Sequence, residues 1–176
     1  MNETWIHKKS IYEGKIFDVH IGEARLDDGT VAHREVCVHG GGVGIVPVVD
    51  NRVILVRQFR IAIDKHILEI PAGRLEPGED PEHRGRVELE EETGHIAGRM
   101  VHVASCYCSP GFTNERDEIY LAFDLTKTTQ RLEHDERVEL VELAFDEVER
   151  MLANREFDDG KTIIGLRELQ AYLRSR

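Results

Sequence analysis

Residues 73–94 read Gly-Arg-Leu-Glu-Pro-Gly-Glu-Asp-Pro-Glu-His-Arg-Gly-Arg-Val-Glu-Leu-Glu-Glu-Glu-Thr-Gly, a loop feeding a helix, and this stretch decides the fold. Asp80 suits the N-cap, Pro81 the first helical position, and Gly94 a left-handed C-terminal turn. At about 100° per residue, Arg84, Val87, Glu88, Glu91 and Glu92 fall within one arc. Gly85 and Leu89 lie at its edge, where they can pack inward, and Arg86 and Glu90 point to solvent. Glu88, Glu91 and Glu92 stand at i, i+3 and i+4, so three carboxylates share one face. Like charges at this spacing repel unless a cation lies among them, and hard divalent ions prefer oxygen ligands. A metal site explains the spacing; a solvated acidic face is the competing reading of such a charge run.

Working outward, apolar strands precede the cassette at 43–49 and 52–58, joined by Asp50-Asn51, with a shorter one at 67–70. Beyond Gly94, residues 101–108, 119–125 and 137–144 read as strands, and 145–154 and 162–173 as helices, the second opening after Asp158-Asp159-Gly160. Strands on both sides of one helix, with helices at the end, predict an α/β sandwich with a mixed sheet. The first forty residues alternate polar and apolar, with turn signals at Tyr12-Glu13-Gly14 and Asp27-Asp28-Gly29, and predict short antiparallel strands that include 15–23 and 31–38. The reading is therefore an N-terminal ribbon, 1–40, and a main domain, 41–176, with Gly40-Gly41-Gly42 at the passage. A ribbon this small is marginal alone and needs a surface to pack on, which predicts a homodimer with Trp5 and Ile16 in the buried seam.

Composition narrows the function. With 23 Lys and Arg against 34 Asp and Glu, the net charge of -11 argues against nucleic-acid or anionic-membrane surfaces. An acidic chain that handles phosphates must bring metal ions or local arginines. No run of about 18 apolar residues is present, and the N-terminus lacks a signal-peptide pattern, so a cytoplasmic protein is expected. Three cysteines, with no paired Cys or His at zinc spacing, are expected to be reduced thiols, and the nine histidines form no HExxH pattern.

The cassette resembles the signature of the Nudix hydrolases, G-x5-E-x7-R-E-U-x-E-E-x-G-U with U aliphatic. Gly73, Glu79, Glu88, Leu89, Glu91, Glu92 and Gly94 match in register, seven of nine specified positions. Val87 stands where the family has an arginine that helps hold the glutamates by ion pairing, and His95 stands where it has an aliphatic residue. Arg84, one turn earlier on nearly the same face, is placed to substitute in part. Further pieces resemble the ADP-ribose pyrophosphatase branch: Arg34-Glu35-Val36, 55–60, 68–73, 109–115, Asp135-Glu136 and 161–166. They run through most of the chain in the family's order. Gly40-Gly41-Gly42 departs from a turn that commonly contains proline.

The resemblance implies an α/β/α sandwich with an N-terminal antiparallel ribbon used in dimerisation. It implies that the Ala72 carbonyl, Glu88 and Glu92 coordinate Mg²⁺ or Mn²⁺, with Glu91 binding directly or through water. The catalytic residues it implies are Glu91 and Glu136, the latter as base toward metal-activated water, with Glu133 and Asp135 as alternatives in the same acidic turn. For substrate it implies Arg57 and Arg60 near the phosphates, Glu69 beside the cleft, Glu115 at the terminal ribose, and Arg34 and Phe17 of a partner subunit flanking the base. Strand alternation requires that one of Arg57 and Gln58 face away from that site. Glu79 is expected to support the loop. The activity implied is cleavage of ADP-ribose or a related nucleoside-diphosphate sugar to a nucleoside monophosphate and a sugar phosphate. A GDP-mannose or broad sugar-nucleotide hydrolase is the alternative within the class, and a non-catalytic nucleotide sensor or an acidic scaffold the alternatives outside it.

Overall fold

A computed structural model of the chain describes residues 2–132, 134 and 136–175. It divides into two compact units: Met1–Gly41 with Tyr107–Arg116, and Gly42–Cys106 with Asp117–Arg176. The first unit holds a three-stranded antiparallel sheet of β1 (Glu3–Glu13), β2 (Phe17–Leu26) and β3 (Val31–His39), in that order. The β2–β3 register is regular, and β1 carries two irregularities where it pairs with β2. Strand β1 is exposed along its whole length. The segment 107–116 joins this unit through a bridge from Thr113 to Cys37, and through Asn114, whose side chain bonds both the N–H and the carbonyl of His39.

The second unit carries β4 (Gly42–Val49), β5 (Arg52–Arg60), β6 (Lys65–Glu69), β7 (Ala72–Arg74), α1 (Pro81–Thr93), β8 (His95–Tyr107), β9 (Arg116–Lys127), β10 (Val138–Ala144), α2 (Phe145–Asn154) and α3 (Gly160–Arg174). Its sheet runs β10-β5-β4-β9-β8, with β6 beside β5 and β7 beside β4. Strands β4 and β9 are parallel, while β10–β5, β4–β5, β4–β7 and β5–β6 are antiparallel, so the sheet is mixed as expected.

Alternation along β4 sorts the helices onto opposite faces. A side chain grown from Gly85 of α1 would meet Val43 and Ile45, whereas one grown from Gly165 of α3 would meet Val46. One core joins Val46, Leu55, Ile119 and Leu121 of the sheet to Val148 and Leu152 of α2 and Leu166 and Leu169 of α3. The other face carries a smaller cluster in which Leu89 of α1 packs with Ile45, Ala97 and Ala122. This is an α/β/α sandwich, and the carboxylate helix is one of its outer layers. Among the described residues no helix is long and apolar enough to cross a membrane.

Differences from the sequence reading have local causes. Strand β8 starts at His95, directly after Gly94, rather than at 101. Tertiary pairing overrides the weak strand preference of Ala97-Gly98, where Gly98 sits closely under Asp124. Strand β7 has three residues and no pattern of its own; it exists because it pairs with Gly42–Gly44 of β4. Arg86 and Glu90 do not stand free in solvent: Arg86 bonds Glu82 and the Ala97 carbonyl, and Glu90 pairs with Arg131.

Leu89 is fully buried and anchors α1 to the sheet. Leu89→Ala is expected to cost about 2–5 kcal/mol, the range for emptying a tight core site, measured as a lower midpoint in urea unfolding with an unchanged slope.

Candidate active site

Helix α1 has the ends its sequence calls for. The Asp80 carboxylate accepts from the His83 N–H at 2.7 Å, and Gly94 closes the helix in the left-handed region, at φ 66°. The loop before it is braced by Glu79, whose carboxylate accepts from the Glu76 N–H at 3.0 Å, a supporting position. Within this frame Glu88 and Glu92, one turn apart, are only 5% and 4% exposed. Glu88 lies directly over Gly73, where an added Cβ would overlap its carboxylate. Glu92 accepts from the Ala72 N–H at 3.1 Å, which ties α1 to β7.

Burial drives the electrostatics. Removal from water pushes Glu92 up to about 8, with the charges of Glu88 and Glu136 adding to the rise and Arg60 opposing it. Burial also raises Glu88, opposed by the charge and hydrogen bond of Arg84 and reinforced by Glu91 and Glu136. Glu91 and Glu136 are thus near enough for their charges to act on Glu88, and Glu136 also acts on Glu92. Glu133 and Asp135 lie outside the described residues. A cluster of carboxylates with two members buried is what a divalent ion would neutralise, and its all-oxygen donors suit a hard ion.

Beside the cluster, strand β5 presents Arg60, which grips Glu69 through Nε at 2.7 Å and Nη2 at 3.2 Å. Lys161, at the start of α3, reaches the same carboxylate at 2.6 Å and also bonds Asp159 at 2.9 Å. Asp159 caps α3 by accepting from the Thr162 N–H, and the Thr162 hydroxyl accepts from the Ile70 N–H. Both oxygens of buried Glu69 are thus engaged by cations, and it holds Arg60 and Lys161. Arg57 lies apart from this group. Register pairs it with Leu68 and Glu139, on the opposite face of β5 from Arg60 and Glu69, and it forms an ion pair with Glu139 at 3.2 Å. Lys161 was missed because its carboxylate partner lies 92 positions away in sequence.

The remaining expected residues belong to the first unit. Arg34 pairs through two nitrogens with Glu3, each at 2.8 Å. The half-exposed Phe17 ring lies 5.8 Å from that of Tyr12. Phe17 stands opposite His39 and Arg34 opposite Gly22, which puts them on opposite faces of the β2–β3 ribbon, five register pairs apart. The structure does not bring these two together within one chain. Glu115 lies 3.7 Å from Nδ1 of His39.

The sandwich and its carboxylate-bearing helix define a phosphate-anhydride hydrolase of the Nudix type. The NUDIX domain model matches residues 38–164, and the chain belongs to that family, whose hydrolases depend on divalent metal. It is similar to the ADP-ribose pyrophosphatase of Bacillus subtilis (strain 168), 36% identical over 173 residues that cover 97% of this chain and 94% of that protein. It is equally similar to the methanol dehydrogenase activator of Bacillus methanolicus, 36% identical over 171 residues covering 96% and 92%. A crystal structure of an ADP compounds hydrolase shares the fold with a TM-score of 0.88, covering 99% of this chain and 96% of that one at 20% identity.

The raised Glu92 carboxyl has a measurable consequence without metal. Folded, it keeps its proton to about pH 8; its ordinary value is 4.5. Its contribution to stability is complete below about 4.5 and is lost as pH rises through about 8. In chelator-treated protein, Glu92→Gln is expected to match the parent in melting temperature at pH 5 and to exceed it by a few degrees at pH 9. Thermal unfolding at the two pH values checks this, and parallel profiles would contradict it.

Proposed function

We propose that the chain is a divalent-metal-dependent pyrophosphohydrolase that splits ADP-ribose, or a closely related nucleoside-diphosphate sugar, into a nucleoside monophosphate and a sugar phosphate. The observation that carries this reading is the pair of buried glutamates on α1, held against Gly73 and Ala72 and joined in one field by Glu91 and Glu136. Glu88, Glu92 and the Ala72 carbonyl, with Glu91, would hold Mg²⁺ or Mn²⁺. Such an ion supplies Lewis acidity, which lowers the pKa of water and offsets phosphate charge.

The chain's own residues do the rest. Glu136 takes the proton from the attacking water, supported by its proximity to Glu88 and Glu92. The water oxygen bonds to one phosphorus as the bridging P–O bond breaks, so one water is consumed and two phosphomonoesters leave. Arg60 orients the diphosphate; its guanidinium is fixed in advance by Glu69, so little side-chain freedom is lost when substrate arrives.

The reading includes a homodimer. Its support is the first unit's exposed apolar side chains, Trp5, Ile6, Ile11, Tyr12, Ile16 and Phe17, a surface that a second copy would cover. Phe17, Arg34 and Glu115 are assigned to substrate recognition in that assembly.

Incubation with ADP-ribose, with and without Mg²⁺, and with GDP-mannose, UDP-glucose and NAD in parallel, tests the proposal by product chromatography. AMP and ribose 5-phosphate are expected only with metal, with turnover falling by orders of magnitude in Glu92→Gln. Metal-independent cleavage, or a fully active Glu92→Gln, would contradict the metal assignment. Metal binding without cleavage of any of the four would favour the sensor reading.

A further inference from the structure

Helix α1 carries an aliphatic residue, Val87, immediately before the buried Glu88, so the positive charge on that face comes from elsewhere. It comes from Arg84, one turn earlier, whose Nη2 lies 2.5 Å from Oε1 of Glu88 in an i,i+4 pair. The Arg84 side chain is mostly covered, at 28% exposure, and its Nε is buried with no hydrogen-bond partner. An unmet buried donor is unfavourable, and a guanidinium that tolerates one is held by the charges around it rather than by a full set of its own bonds. Those charges are Glu88 first, then Glu79 of the loop and Glu91 of the same helix; together they outweigh desolvation and keep the group firmly cationic.

Glu88 is therefore confined from two sides. Gly73 lies beneath it with no room for a side chain, and Arg84 grips Oε1, the same oxygen that lies over Gly73. We propose that Arg84 is a positioning residue for the pyrophosphohydrolase reaction, setting the Glu88 carboxylate over Gly73 in the orientation a divalent ion requires, and that this makes the aliphatic residue at position 87 compatible with full activity. The inference rests on the function proposed above and adds to it which residue supplies the counter-charge. One turn of helix separates positions 84 and 88, the spacing at which an arginine reaches a glutamate's head group. The neighbouring Arg86 is committed elsewhere, to Glu82 and the Ala97 carbonyl.

Moving the charge tests this. Four full-length variants are compared with the parent: Arg84→Gln, Arg84→Lys, Val87→Arg, and Arg84→Gln combined with Val87→Arg. In Arg84→Gln, kcat for ADP-ribose is expected to fall on the order of 10–100-fold, the range for losing an outer partner of a metal ligand, with KM little changed. Val87→Arg alone should give no gain, Arg84→Lys a partial loss, and the double variant recovery of most of the activity. A second readout needs no metal and no turnover: in crystals of metal-free Arg84→Gln the Glu88 carboxylate should leave its place over Gly73, and in the double variant return to it. An Arg84→Gln protein with parental kcat and an unmoved Glu88 overturns the inference, as does a loss that the double variant does not recover. If the parent cleaves no sugar nucleotide, the proposed activity falls, and the position of Glu88 in the metal-free crystals still decides the role of Arg84.

Discussion

Glu88 and Glu92 lie almost fully buried one helical turn apart, and the surrounding design follows from that. Withdrawing a carboxylate from water costs several kcal/mol unless positive charge or hydrogen bonds compensate, and two neighbouring ones repel as well. Among the described residues, compensation comes from the Ala72 N–H for Glu92, Arg84 for Glu88, and the more distant field of Arg60. Burial still raises both carboxyls. The proposed divalent ion would offset both charges, and the remaining elements hold the arrangement in place. Leu89 fastens the helix to the sheet, the short strand β7 brings Ala72 and Gly73 beneath it, and Glu79 stiffens the intervening loop.

The helix was legible because its information is local. The cap at Asp80, the left-handed turn at Gly94 and the shared face of Glu88, Glu91 and Glu92 all follow from spacing on one element. The central strands were legible for the same reason: β4 and β5 are runs of buried aliphatic residues. Features that depend on a second element were not. Strand β7 has no pattern of its own, and β8 begins six residues early because a partner strand is there to receive it. The arginines of β5 show the limit at a single site. Arg57 and Arg60 look alike in sequence, yet they stand on opposite faces, one paired with Glu139 and the other with Glu69. The partners of Glu69 likewise depend on tertiary structure, because Lys161 reaches it from α3.

Departures from the family signature are informative when set against geometry. Val87 removes an arginine from the carboxylate face, while Arg84 supplies one from a turn away. His95 stands where an aliphatic residue is usual, and its Nδ1 meets the Thr93 carbonyl at 2.9 Å just past the helix end, so the polar ring has a partner there.

The most direct test of the account is where a divalent ion binds. Crystals grown with Mn²⁺ and measured at a wavelength where manganese scatters anomalously would show this without any assumption about substrate. The account predicts anomalous density bounded by Glu88, Glu92 and the Ala72 carbonyl, and its loss in Glu92→Gln. Density elsewhere on the protein, or none in crystals that hold Mn²⁺ in their solvent, would contradict the claim that these buried carboxylates form a metal site.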